Sequence, residues 1–286
     1  MKMCRLIAAM LVGGLALAAA SEGATIAHWT FDEGSGTTAA NSDGSATAKL
    51  QFGNSGGPDS ADPLWATGYS GSAIRDDKPT SNVSYARNTG GWTATDATNM
   101  APTGSFTIEM FINHDTFSTW GDQQFGLLSY RNGSQVQYVM RSYVHHISGD
   151  NLIGIFVENS VGDTNTTFNT SAAGLSMVAN QWYYLAAIYD DVAGQLEIVL
   201  RDMNDDTTVS TTIASNGMQG ITGTPNPLLL IGSEAGGGRS FDGLIDEVRF
   251  SDSVVAEGDR LYNPVPEPGT MGLIGLGAMF LAKRKR

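Results

Sequence analysis

The chain has 286 residues, with 35 glycines, one cysteine and 16% charged residues. Its two terminal segments, residues 1–24 and 263–286, hold six of the basic residues and two acidic residues, leaving a body with 10 basic and 27 acidic residues, a net of −17. Such a body repels nucleic acid and anionic membrane surfaces, so a nucleic-acid partner is excluded. Taken in order, residues 1–24 read as a secretory signal. Lys2 and Arg5 give a positive start, Leu6 to Leu17 an apolar centre, and Ala18-Ala19-Ala20 a small-residue cleavage site, with a second possible cut after Ala24. Cys4 lies inside this segment, so the body has no disulfides, no thiol catalysis and no cysteine metal site.

The body, residues 25–262, reads as one all-β domain. Short apolar runs alternate with Thr-, Ser-, Asn- and Asp-rich turns, and long helical periodicity is missing. Strands are expected at Ile26–Phe31, near Asn82–Ala86, and at Ser105–Ile112, Phe125–Tyr130, Gln135–Val144 and Leu152–Glu158. Further strands are expected at Trp182–Tyr189, Gln195–Arg201, Thr207–Ile213, Leu228–Ile231 and Phe241–Phe250. In the last of these, period two places Leu244, Val248 and Phe250 on one side. Residues 53–72 are rich in Gly, Ser and Pro and read as a long loop carrying Trp65 and Tyr69. Val254–Tyr262 reads as one or two helical turns capped by Asp252 or Ser253.

Four landmarks occur in order: His28-Trp29-Thr30-Phe31-Asp32-Glu33-Gly34-Ser35-Gly36, Ser105-Phe106-Thr107-Ile108-Glu109, Gln181-Trp182-Tyr183-Tyr184-Leu185-Ala186, and Leu230-Ile231-Gly232 followed by Gly243-Leu244-Ile245-Asp246-Glu247-Val248-Arg249-Phe250. Together they resemble a laminin-G-like domain of the concanavalin A-like jelly-roll superfamily. The resemblance implies a two-sheet antiparallel β-sandwich with the first and last strands adjacent. The usual Tyr-x-Asp-Gly turn after the Trp182 hairpin is replaced here by Arg201 to Asp206.

The end of the chain carries a second resemblance. Pro266-Glu267-Pro268 is followed by an apolar stretch, Thr270 to Ala282, and by Lys283-Arg284-Lys285-Arg286. As a helix, thirteen residues span about 20 Å, short of the roughly 30 Å hydrocarbon core of a bilayer. The order of these parts is similar to the PEP-CTERM sorting signal of Gram-negative bacteria. That resemblance implies a sorting and anchor segment over residues 263–286 whose short hydrophobic helix sits transiently in the inner membrane, with an exosortase recognising the tripeptide and removing the tail. The expected location is the cell surface or extracellular matrix.

The resemblance also implies a structural calcium, because family members often hold one. Hard cations take several carboxylate and carbonyl oxygens, and Asp32, Asp43 and Asp246 are the candidates, brought together if the terminal strands pair. The alternative is that Asp32 and Asp43 cap turns while Asp246 pairs with Arg249 or Arg239. For glycan binding, rings in polar loops are the candidates: Trp65, Tyr69, Trp92 and Trp120, each with burial as the competing role. Trp29 and Trp182 lie in apolar strands and are expected in the core. Retaining glycosidases need two carboxylates about 5–5.5 Å apart. Only Asp242 and Asp246 have suitable spacing, and the glucanase pattern Glu-x-Asp-x-x-Glu is absent, so no catalytic residue is assigned. The expected function is non-catalytic binding of an extracellular polysaccharide or surface glycan. A structural surface protein without a ligand and a divergent glycosidase are the alternatives.

Overall fold

The structure is a computed structural model that describes residues 24–43, 48–53, 62–77, 86–88, 104–117, 123–132, 135–147, 150–159, 164–215, 228–234 and 239–263. These fold as an antiparallel β-sandwich. The first sheet runs β14 (Thr208–Ala214), β13 (Gln195–Asp202), β12 (Trp182–Asp190), β7 (Phe106–His114), β16 (Asp242–Ser251), β5 (Ser72–Asp77) and β4 (Leu64–Thr67), with β1 (Thr25–Trp29) pairing β16 as well. The second runs β11 (Thr164–Asn169), β10 (Asp150–Asn159), β9 (Gln135–Ile147), β8 (Gln123–Asn132), β15 (Leu228–Ile231), β6 (Ala86–Asn88), β3 (Leu50–Phe52) and β2 (Thr38–Ala39). The first and last strands are adjacent, as the resemblance implied: Thr25 lies opposite Ser251 and Trp29 opposite Val248.

Period two sets the core. From β7, Phe106, Ile108, Met110 and Ile112 point between the sheets, as do Tyr183, Leu185, Ala187 and Tyr189 from β12. Trp29 is fully buried and donates its indole N–H to the Ala48 carbonyl at 2.7 Å. β7 and β12 read as apolar on both faces because both faces are covered. The outward side chains Phe111, Tyr184, Ala186 and Ile188 form a second apolar cluster beneath Leu261 and Tyr262. Those two residues belong to the last described segment, which Glu109 holds down. Buried Glu109 accepts the Leu261 N–H at 3.1 Å, the Tyr184 hydroxyl at 2.6 Å and the Arg249 Nε–H at 2.7 Å.

Four expectations need correction. Residues 53–72 are not one loop: Trp65 lies in β4, and β5 starts at Ser72, the short hairpin being hidden in sequence by its glycines. Val254–Tyr262 forms only a single 3-10 turn, Glu257–Asp259, because Gly258 at its centre is a poor helix former and Ala256 at its start supplies no side-chain cap. Thr164–Asn169, polar but for the buried Phe168, is a strand that the sequence reading passed over. In β16 a bulge between Asp246 and Arg249, with Glu247 at φ 51°, advances the alternation by one residue. Ile245, Val248 and Phe250 therefore face the core, while Leu244 lies on the outer face, half-buried. Residues 82–85 of the weak strand, and the expected terminal helices, lie outside the described residues.

Candidate functional site

The hairpin turn between β4 and β5 crosses the outer face of the first sheet, and two carboxylates hold it. Asp32 Oδ1 accepts the Ser72 N–H at 3.1 Å. Asp246 Oδ2 accepts the Ser70 N–H at 3.1 Å, its Oδ1 accepts the Glu247 N–H at 2.8 Å, and the Tyr69 N–H is bonded to the same carboxylate. Glycine permits the approach. A Cβ at Gly71, where φ is 58°, would stand 1.9 Å from Asp32 Oδ1, and one at Gly68 would stand 2.5 Å from Asp246 Oδ2. Burial pushes the Asp246 carboxyl up to about 7; the Glu247 charge adds to this, and the three N–H bonds oppose it.

This turn delivers Tyr69 to the sheet. The phenol ring stacks on buried Phe111, centroids 4.2 Å apart at 17°, and meets Trp182 edge-on at 6.1 Å. Tyr69 stays 42% exposed, so the ring face turned from Phe111 is the open one. Beside it the registers set a row across five strands: Trp182 opposite Asn113, then Leu244, Arg75 and Leu64. Arg75 is ion-paired with Asp115, and Leu64 is largely exposed. An open ring with an indole wall and amide and guanidinium neighbours can stack on the C–H face of a sugar and bond its hydroxyls.

Of the residues singled out in sequence, the structure brings Asp32, Tyr69 and Asp246 together at this turn. Trp65 sits on the other side of the same hairpin, half-buried against Phe52 at 4.9 Å, with its N–H on the Gly36 carbonyl at 2.8 Å. Asp43 is exposed and separate, its backbone N–H on Asn41 Oδ1. Trp92, Trp120 and Pro266, Glu267 and Pro268 lie outside the described residues. Neither expected arginine partner serves Asp246: Arg249 pairs with Glu109 and Arg239 with Glu234. Asp32 and Asp246 direct carboxylate oxygens at N–H donors. Among the described residues, no three His, Cys, Asp or Glu side chains gather where a metal ion would sit. The residues present do not fit a calcium ion at this turn. Asp242 accepts the Thr116 hydroxyl at 2.8 Å, while Asp246 is sealed under the turn.

Trp182, expected in the core, is half-buried on the outer face instead, and Asn113 and Arg75 are site residues that sequence reasoning missed. β7 and β12 are apolar on alternate positions of either face, so alternation gave no sign of which ring reaches the surface. The only usable signal was position: Trp182 follows Gln181 at the mouth of its strand.

A family model described as the concanavalin A-like lectin/glucanases superfamily matches residues 87–259, more than half of the chain. The chain belongs to this superfamily. A second model, the PEP-CTERM protein-sorting motif, matches residues 264–286 and indicates export with exosortase-dependent sorting at a Gram-negative cell envelope. No curated protein matches the chain. Among solved structures, full-length tailspike protein 2 from Escherichia coli O157:H7 bacteriophage CAB120 is 14% identical, with a TM-score of 0.50 over 72% of this chain and 27% of its own. The enzymatically active domain of the bacteriophage CBA120 tailspike protein 2 gives 14% identity and a TM-score of 0.50 over 76% of this chain and 31% of its own. The chain thus spans about a third or less of these structures, and the likeness is one of fold.

Proposed function

We propose that this exported protein binds a surface or extracellular polysaccharide without cleaving it, laying one sugar ring on Tyr69 against Trp182. The observation that carries this reading is the Tyr69 ring, backed flat by Phe111 with its other face open and its backbone fastened by Asp246. A ring held in this way loses little conformational freedom when a ligand lands on it, which favours binding. Leu244 and Arg75 continue the surface and would meet the next sugar, with Asn113 buried beneath them. Family membership supports the reading at the level of fold alone.

The test is a glycan array followed by titration calorimetry on the best ligand. Tyr69→Ala is expected to weaken binding about tenfold or more, equivalent to about 1.4 kcal/mol, while Tyr69→Phe retains it. Equal affinity in wild type and Tyr69→Ala would sink the proposal. Turnover of the bound polysaccharide would replace it with the glycosidase reading.

A further inference from the structure

β14 is the terminal strand of the first sheet, and among the described residues nothing pairs with its outer edge. Its bonded side can be read from the hairpin ends. The Ser215 N–H donates to the Gly194 carbonyl at 2.9 Å, and the Asp202 N–H to the Thr207 carbonyl at 2.8 Å. Bonded pairs recur at every second residue of an antiparallel ladder. Val209, Thr211 and Ile213 therefore spend their main-chain groups on Leu200, Ile198 and Leu196 of β13. The N–H and C=O groups of Thr208, Ser210, Thr212 and Ala214 point away from the sheet.

Proteins blunt such edges with charge, proline or a bulge. Thr208–Ala214, reading TVSTTIA, has no charged residue and no proline, and its register with β13 is unbroken. Its side chains alternate cleanly. Thr208, Ser210, Thr212 and Ala214 are exposed, whereas Val209, Thr211 and Ile213 are half-buried, Val209 and Ile213 packing on the main core.

We propose that two copies of this chain associate through β14, paired antiparallel with itself about a two-fold axis at Thr211. In this register Ser210 faces the partner's Thr212 and Thr208 faces the partner's Ala214. All four residues with free main-chain groups are then matched, in four pairs of two bonds each. On the core side Val209 lies against the partner's Ile213, and Thr211 against its own copy. Moving the axis to Ser210 or Thr212 leaves one of the four unmatched. A slip of one residue sets exposed side chains against half-buried ones. The strand is thus self-complementary in one register, as an isologous interface requires. The acidic bodies repel one another, and salt screens that repulsion over about 8 Å at physiological ionic strength. Association therefore strengthens as salt is raised.

The experiment is analytical ultracentrifugation of the full chain in mild detergent. Wild type is expected to show a concentration-dependent dimer. The double variant Ser210→Lys/Thr212→Lys sets like charges across the axis from exposed positions, and is expected to raise the dissociation constant about tenfold or more without lowering the melting temperature. Ser210→Asp/Thr212→Asp behaves likewise, and mixing the two double variants restores a dimer. On a Cys4→Ser background, Thr211→Cys cross-links to its own copy under mild oxidation, because paired strands hold the residues within disulfide reach, while Thr208→Cys does not. A monomeric wild type, including one that binds only a strand of another protein, overturns the proposal. So does a dimer that both charged variants leave intact.

Discussion

Asp246 and His114 are both buried, and their protonation runs in opposite senses. His114 bonds Ser142 Oγ through Nε2 at 2.8 Å among Phe117, Phe125 and Phe241, and burial pushes its ring down to about 3. Below the ordinary value of 6.5, the unfolded chain takes up a proton that the folded ring refuses. Its contribution to stability is therefore complete above 6.5 and is lost as pH falls towards 3. Asp246 is the reverse: between 3.8 and about 7 the folded carboxyl keeps a proton that the unfolded chain has released, so stability falls as pH rises across that window. The two slopes, each at most about 1.4 kcal/mol per pH unit, oppose one another from about pH 4 to 6.5. Melting temperature against pH should accordingly be nearly flat there in wild type. His114→Gln should expose a fall with rising pH, and Asp246→Asn a rise. Curves that keep the wild-type shape in both variants would refute these assignments.

At the scale of elements, the β4–β5 hairpin depends on its glycines. Gly71→Ala places a methyl on Asp32 Oδ1 and asks alanine to hold φ 58°, so a loss of about 1–3 kcal/mol is expected in urea unfolding. Tyr69 should lose its seat on Phe111, and glycan affinity should fall together with stability. A Gly71→Ala protein as stable as wild type would show that the turn is not held by Asp32. This hairpin also marks how far the sequence could be read. β7, β12 and β13 were legible because apolar residues recur at every second position along their full length, as Phe106, Ile108, Met110 and Ile112 do in β7. β4 was not, since four residues among glycines, prolines and serines carry no period. The bulge at Glu247 defeated the reading of β16 in another way: its alternation is regular on either side, and only the three-dimensional register shows that one residue is out of step. Asp246 was picked out because strands exclude carboxylates, but sequence could not foresee that backbone N–H groups, rather than a cation or an arginine, would satisfy it.

For the whole molecule, Glu109 is the join between the sheet and the last segment. Fully buried, it answers Arg249 at 2.5 Å, Tyr184 and the Leu261 N–H at once. Glu109→Ala leaves a half-buried guanidinium without its counter-charge and should cost about 3–5 kcal/mol in chemical denaturation. A loss under about 1 kcal/mol would mean that the segment is held by Leu261 and Tyr262 packing alone. Calcium is tested at the same scale. Asp32, Asp43 and Asp246 do not converge, so thermal unfolding in calcium and in chelator is expected to coincide. An upward shift with calcium that Asp32→Ala abolishes would reinstate the site.

The pairing of β1 with β16 has a mechanical consequence. Thr25 lies opposite Ser251, and the Asp252 N–H reaches the Ala24 carbonyl at 3.1 Å, so the two ends of the sandwich leave side by side. Tension between the ends acts across the ladder rather than along it. It would lift Tyr262 and Leu261 from the sheet first, then open the β1–β16 rungs one after another, each bearing the load alone. The domain should therefore yield to end-to-end pulling by peeling, at low force. A load pulling β7 and β12 in opposite directions along their length would have to break their many rungs together.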